Sequence, residues 1–144
     1  MKLKVQLLSQ NSKMPVIASA GAACFDIHTI STKMVTVAPG EPHVFNTGLA
    51  FEIPSDHVML VFSRSGHGFQ SDIRLSNCVG VIDADYRGEL KIKLAADRAP
   101  YVVTPGERIA QAMIIKKPVV ELVEVSALSP SDRGANGFGS TGKG

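Results

Sequence analysis

The sequence predicts an all-β fold, a barrel or sandwich, and three observations carry the prediction. Turn signals built from Pro, Gly, Asp and Ser recur about every 8–12 residues, the spacing of short antiparallel strands. The segments between them alternate apolar with polar residues, and none shows a convincing helical period. The chain is 44% hydrophobic but only 6% aromatic, with no Trp, so its core must be built from Val, Ile, Leu and Ala. The β-branched share leans towards strands.

Taken in order, Leu3, Val5 and Leu7 alternate with Lys2, Lys4 and Gln6, a half-buried strand. Pro15–Ala23 is small and irregular, a loop. Cys24–His28 alternates again and sets Asp26 on the face opposite Phe25 and Ile27. A short strand at Met34–Val37 runs into the turn Pro39-Gly40. Strands at Gly48–Ile53 and His57–Phe62 are separated by Pro54-Ser55-Asp56. Ser63-Arg64-Ser65-Gly66 breaks the pattern, with about one helical turn expected after Ser65. Ile73–Leu75 is a short strand. Val79, Val81 and Ile82 then lead into a polar turn, Asp83 to Gly88, and Leu90, Ile92 and Leu94 lead out of it, a hairpin by pattern. Tyr101–Val103, the turn Thr104-Pro105-Gly106, and strands at Arg108–Ile115 and Val119–Val125 follow. The frame Val-x-Pro-Gly-Glu occurs at both 37–41 and 103–107, which two β-turns of one type explain.

At 144 residues the chain is one domain, able to fold without staples. Its 15 basic and 13 acidic residues give a net charge of +2, too balanced for a face that binds a nucleic acid polymer. Apolar runs such as Val58–Phe62 are too short to cross a membrane. Met-Lys-Leu-Lys-Val-Gln is followed by no apolar block, so no secretory signal is expected. Cys24 and Cys78 form no CxxC pattern and read as reduced and buried, which points to the cytoplasm. His28, His43, His57 and His67 lack metal-ligand spacing and read as surface or strand residues.

Gly80–Leu90 is the stretch with the most chemistry. A turn needs one or two polar residues and a glycine. This one holds Asp83, Asp85, Tyr86 and Arg87 together: a base, a flat ring and a cation. Alone, it reads as ordinary turn chemistry. The segment 127–144 differs in kind, with five glycines and Ser and Pro at its start. By composition it is a solvated tail. Arg133 and Phe138, set among those glycines, fit instead an arm that closes over a ligand: amides approach phosphates, Arg offsets their charge, and Phe covers a ring.

Ala20–Ile27 with Asp26, Arg64-Ser65-Gly66, Gly80–Gly88, Gly106–Gln111 and Arg133–Gly142, in that order, resemble the motifs of the trimeric dUTPases. Each alone is weak; together, over nearly the whole chain, they are specific. The resemblance implies a distorted jelly-roll β-barrel, homotrimeric, with a jelly-roll domain at 1–126 and a glycine-rich C-terminal arm at 127–144 closing over a neighbouring subunit's site. It implies hydrolysis of dUTP to dUMP and pyrophosphate with Mg²⁺, which limits uracil in DNA and supplies dUMP for thymidylate synthesis. Asp83 would be the general base for a water attacking the α-phosphorus. Arg64 and Arg133 would supply fixed cations, and Ser65 with Gly66 would donate to phosphate oxygens. Gln111 would contact phosphate or brace Arg64 from a neighbouring subunit. Asp26 would reach Mg²⁺ through a water, since this ion keeps several waters and few protein ligands. Tyr86 would lie against the deoxyribose and leave no room for a 2′-hydroxyl. Uracil would enter the hairpin beside Asn77, Val81 and Ile82, near Lys91. Phe138 would stack on its ring, with Gly139 and Ser140 completing the arm's contacts.

Some positions depart from the usual family pattern. Ser63 stands where Pro usually precedes Arg-Ser-Gly, His67-Gly68 where Leu-Ala is common, and Asn136 where Gly is usual. The first motif is two residues longer than common. Three other readings compete: a dCTP deaminase-like enzyme, which ammonia release from dCTP would reveal; a dUTP-binding module without chemistry; and a structural trimer, which needs no Arg or Phe in its tail.

Overall fold

The computed structural model describes residues 1–137. Eleven strands and one short helix make up the described chain. They are β1 (Lys4–Leu7), β2 (Phe25–His28), β3 (Val35–Val37), β4 (His43–Asn46), β5 (Leu49–Glu52), β6 (His57–Phe62), α1 (Ser65–Ser71), β7 (Ile73–Leu75), β8 (Val79–Ile82), β9 (Lys91–Ala96), β10 (Tyr101–Val103) and β11 (Arg108–Lys116). All-β architecture is therefore observed, and every named pair is antiparallel.

The strands form four separate sheets: β1-β5, β3-β10, β2-β11-β6-β8 and β4-β9-β7. Among the described residues they do not close into one continuous barrel. Their inner faces share one core. Ile27, Met59, Val61 and Ala112 come from the largest sheet, Phe45, Ile73, Leu75, Ile92 and Leu94 from the three-stranded one, and Val37, Val103 and Phe51 from the two pairs. This core is mainly aliphatic, as the composition requires.

Four expectations are corrected. The segment 79–94 is no hairpin: β8 pairs with β6, and β9 pairs with β4 and β7. Both flanking strands found better partners far away in sequence. β4 is an additional strand, inconspicuous in sequence because only Phe45 of His43–Asn46 is buried. Val119–Val125 forms no strand among the described residues. A strand needs a backbone partner, and here Val119 and Leu122 are 101% and 93% exposed. Cys78 is exposed rather than buried, because it sits at φ 60 in the turn between β7 and β8. Cys24 is half-buried, and burial together with Asp26 pushes its thiol pKa up.

Candidate active site

The predicted site residues fall into two groups. The first surrounds the gap between β8 and β9. Outermost in its sheet, β8 has one edge without a ladder. On the facing side of β9, β7 pairs only with Leu94–Ala96, and Ser76 N donates to Lys93 O at 2.8 Å. Lys91 and Ile92 carry no ladder there. A narrow cavity of ≈ 50 Å³ lies between the strands, lined by Asn77, Gly80, Ile82, Lys91 and neighbours. Gly80 has no side chain to spare: a Cβ there would stand 3.1 Å from Val61 Cβ and 3.8 Å from Asn77 Nδ2. A wider cavity of ≈ 320 Å³ shares Ile82, Leu90 and Lys91 with it and adds Val81, Asp83 and Tyr86.

The turn that ends this gap is held by hydrogen bonds to its own backbone carbonyls. Tyr86 N donates to Asp83 O at 3.2 Å, and Arg87 Nη1 donates to Ala84 O at 2.6 Å. The Tyr86 hydroxyl donates to Glu89 O at 3.0 Å. Its ring lies directly over Gly88, where a Cβ would stand 2.5 Å from the hydroxyl. Beyond the turn, Gly48 N donates to Glu89 Oε1 at 2.8 Å, and the Thr47 hydroxyl donates to Leu90 O at 2.6 Å. The turn is thus bolted to the start of β5. Asp83 is exposed and lines both the 320 Å³ cavity and a second one of ≈ 680 Å³ beyond it. Its carboxylate makes no hydrogen bond or ion pair among the described residues.

The second group sits where β2, β11 and β6 run side by side. Asp26, Gln111 and Phe62 lie in one row across these strands. Arg64, in extended conformation, caps α1. Its Nε donates to Asp26 Oδ1 at 3.3 Å and its Nη1 to Arg108 O at 3.2 Å. Arg108 Nη1 donates to Asp26 Oδ2 at 3.0 Å. Asp26 is therefore a mostly buried carboxylate bridging two guanidinium groups. Gln111 Nε2 donates to Ser63 O at 3.0 Å, so within its own chain it braces the residue before Arg64. Ser65 and Gly66 begin α1, which spans seven residues rather than one turn. Arg108 belongs to this group but carried no sequence signal of its own. Its partner is 82 residues away.

The two groups do not meet in one chain. β6 and β8 run antiparallel, with Phe62 opposite Val79 and Met59 opposite Ile82. Arg64 leaves β6 at the Val79 end, and Asp83 leaves β8 at the other. Their backbones are separated by about six strand residues, on the order of 20 Å. Arg133 joins neither group: it is exposed, and its Nε donates to Asn136 O at 2.9 Å. Phe138, Gly139 and Ser140 lie outside the described residues.

Among the described residues, no cluster of three His, Cys, Asp or Glu side chains stands ready for a metal ion. Both Asp26 oxygens are committed to guanidinium groups. An ion placed there directly would break those pairs, so the donor set fits contact through a water. Among the described residues, no helix is long and apolar enough to cross a membrane.

A family model described as dUTPase matches residues 10–142. The deoxyuridine 5′-triphosphate nucleotidohydrolase of Nautilia profundicola is 43% identical over 144 residues, covering 99% of this chain and 100% of its own. The dUTPase of Staphylococcus bacteriophage 80alpha, solved with dUPNHPP, superposes with a TM-score of 0.87 at 31% identity, covering 98% of each chain. A dUTPase variant from phage phi11 of S. aureus, described with a structural Mg(II) ion, superposes with a TM-score of 0.77 at 27% identity over 88% of this chain and 98% of its own.

Proposed function

The chain belongs to the dUTPase family, and from that premise we propose how its own residues hydrolyse dUTP to dUMP and pyrophosphate. One observation carries the reading. An exposed, uncommitted aspartate, Asp83, stands at the end of a slot whose walls are unpaired strand edges. Water attacks the α-phosphorus, Asp83 takes its proton, the bond to the bridging oxygen of the β-phosphate breaks, and pyrophosphate leaves. The base needs only position, and most of the barrier falls by holding the triphosphate in line and offsetting its charge. Mg²⁺, when bound with the triphosphate and its waters, offsets part of that charge.

The slot accounts for base choice. Free N–H and C=O groups of β8, with the Asn77 amide, face a planar base edge-on. Uracil offers the complementary donor–acceptor pattern; cytosine offers the reverse and would leave buried polar groups unpaired, the mismatch that discriminates strongly. Lys91 flanks the slot. Tyr86, locked over Gly88, is placed against the sugar. Gly88→Ala should push that ring out of place. We expect kcat/KM for dUTP to fall about tenfold, and the preference for dUTP over UTP to narrow, as for other steric selectivity. Unchanged preference would mean that Tyr86 does not read the sugar.

The separation of the two groups supports assembly. Arg64, Ser65, Gly66 and Gln111 serve as a phosphate-binding half-site, and they reach Asp83 only if another copy supplies them. A homotrimer with the 127–144 arm of a third copy closing over the site satisfies this. Within it Arg133 adds a cation and Phe138, Gly139 and Ser140 cover the base. The two free cysteines fit a reducing compartment such as the cytoplasm. Pyrophosphate release from dUTP, with no ammonia release from dCTP, tests the activity; the reverse outcome would make this a deaminase.

A further inference from the structure

Helix α1 is seven residues long and buries one side chain, His67. Helices this short do not hold themselves, because nucleation is costly, so tertiary contact must fix them. His67 supplies that contact. Its Nε2 lies 3.0 Å from Glu107 Oε1 and 3.4 Å from the Tyr101 hydroxyl. The same hydroxyl donates to Glu107 Oε1 at 2.6 Å. Glu107 Oε2 accepts from Thr104 N and Oγ1 at 2.7 and 2.9 Å. The imidazole and phenol rings pack tilted, with centroids 5.3 Å apart.

Proton positions follow from the chemistry. A carboxylate only accepts, so Nε2 carries the hydrogen and Nδ1 does not. Nδ1 is buried without a partner, so a second proton has nothing to bond. Burial pushes the imidazole pKa down, more than Glu107 pulls it up, and the Arg64 charge adds to the fall. Burial and the bond to Glu107 push the Tyr101 phenol up to about 12. Burial works to raise Glu107, but hydrogen bonds from Thr104, Tyr101 and His67 hold it below the usual carboxylate range. Facing His67 are thus Glu107 and Tyr101 from β10 and the turn after it, and Arg64 from before α1. The packed strand β7 carries Arg74, which is paired with Asp97.

These contacts close a ring around the phosphate half-site. Arg64 bonds Asp26, Asp26 bonds Arg108, Arg108 follows Glu107 in the chain, and Glu107 bonds His67. Ser65 and Gly66 lie between Arg64 and His67. We propose that His67 is a positioning residue: through Nε2–H to Glu107 it fixes the turn that presents Arg64, Ser65 and Gly66 to the substrate's phosphates. The proposal rests on the reading of those three residues as phosphate-binding. In this chain an apolar side chain would fill the same space but leave Glu107 Oε1 without that donor.

The test uses the full chain and three variants, His67→Leu, His67→Gln and His67→Met. Affinities for dUMP and for an α,β-imido analogue of dUTP are measured, with kcat and KM for dUTP and a melting curve for each protein. His67→Leu should bind dUMP within about twofold of wild type and the imido-triphosphate at least tenfold more weakly. His67→Gln, whose amide donates in place of Nε2–H, should recover most of that loss. A leucine variant that binds the triphosphate as wild type does, or a glutamine variant as impaired as the leucine one, overturns the proposal. Should His67→Leu fail to fold, His67→Met, which likewise cannot donate, decides: a selective loss of triphosphate affinity supports the role, and wild-type affinity overturns it. Wild-type protein binding neither nucleotide would sink the nucleotide reading itself, and His67's role with it.

A second readout is independent of nucleotide. The native imidazole pKa lies below the ordinary 6.5, so the unfolded chain binds the extra proton first as pH falls. Its contribution is therefore full above pH 6.5 and is lost as pH drops through the native value. Wild-type melting temperature should fall more steeply below pH 6.5 than that of His67→Gln. Identical slopes would contradict a neutral, buried His67.

Discussion

Asp83→Asn is expected to lower kcat for dUTP by at least 10²-fold while leaving affinity for an imido analogue within about threefold, the effect of removing a general base. The expectation is sharp because the side chain does so little else. Among the described residues the Asp83 carboxylate has no hydrogen bond and no ion pair, and it is exposed. The turn is closed by backbone groups, Tyr86 N to Asp83 O, which asparagine keeps. Asparagine is also well suited to a turn. Folding and binding should therefore survive, so a lost rate cannot be assigned to lost structure. Single-turnover measurements separate the chemical step from product release. A near-normal single-turnover rate would remove Asp83 from the role of base.

How much of this was legible in the sequence differs from element to element. The alternating strand Phe25–His28 and the apolar run His57–Phe62 emerge where the pattern places them, because each needs only a neighbouring core. Pairing is another matter. Val79–Ile82 and Lys91–Ala96 flank a tight polar turn, and local pattern makes them a hairpin. Whether they pair depends on β6 and β4, which lie elsewhere in sequence. That error changes the chemistry for the better: a paired hairpin would have used up the backbone groups that the slot leaves free. Val119–Val125 shows the converse. Its alternation signals burial against something, yet among the described residues nothing covers it.

The site divides along the same line. Asp83, Tyr86, Arg64 and Asp26 stood out through the motifs that together resemble the dUTPases, since each alone reads as ordinary. What each one touches was not legible. Asp26 read as reaching a metal ion through a water, and nothing local marked the two guanidinium groups it bridges, Arg64 and Arg108. His67 read as a surface or strand residue, yet it is the single buried side chain of α1. Its partner Glu107 is 40 residues away, and no spacing rule connects them. Contacts of that kind are products of the fold, not of local sequence.

Deleting 131–144 is expected to lower kcat/KM for dUTP by 10²-fold or more without destabilising the domain. Among the described residues every buried member of the hydrophobic core precedes residue 113, and 131–137 contributes none of them. What it removes is Arg133 and Phe138. A hydrogen bond to a charged group is worth about 1.5–3 kcal/mol, and base–aromatic stacking about 1–3 kcal/mol. Together these reach 10²-fold. Mixing supplies the stronger test. Neither the deleted protein nor Asp83→Asn should turn over dUTP appreciably alone. On the proposed homotrimer, chains unfolded and refolded together would form trimers in which Asp83 of a deleted chain meets the arm of an Asp83→Asn chain. Activity should then reappear, at a fraction set by random assembly. If each arm served the slot of its own chain, no mixed trimer would hold a complete site and the mixture would stay inactive. The separation of Arg64 from Asp83 along β6 and β8 makes the same demand on the other half-site. Arg64→Ala mixed with Asp83→Asn should also recover activity, because each fault then falls on a different chain of the same site.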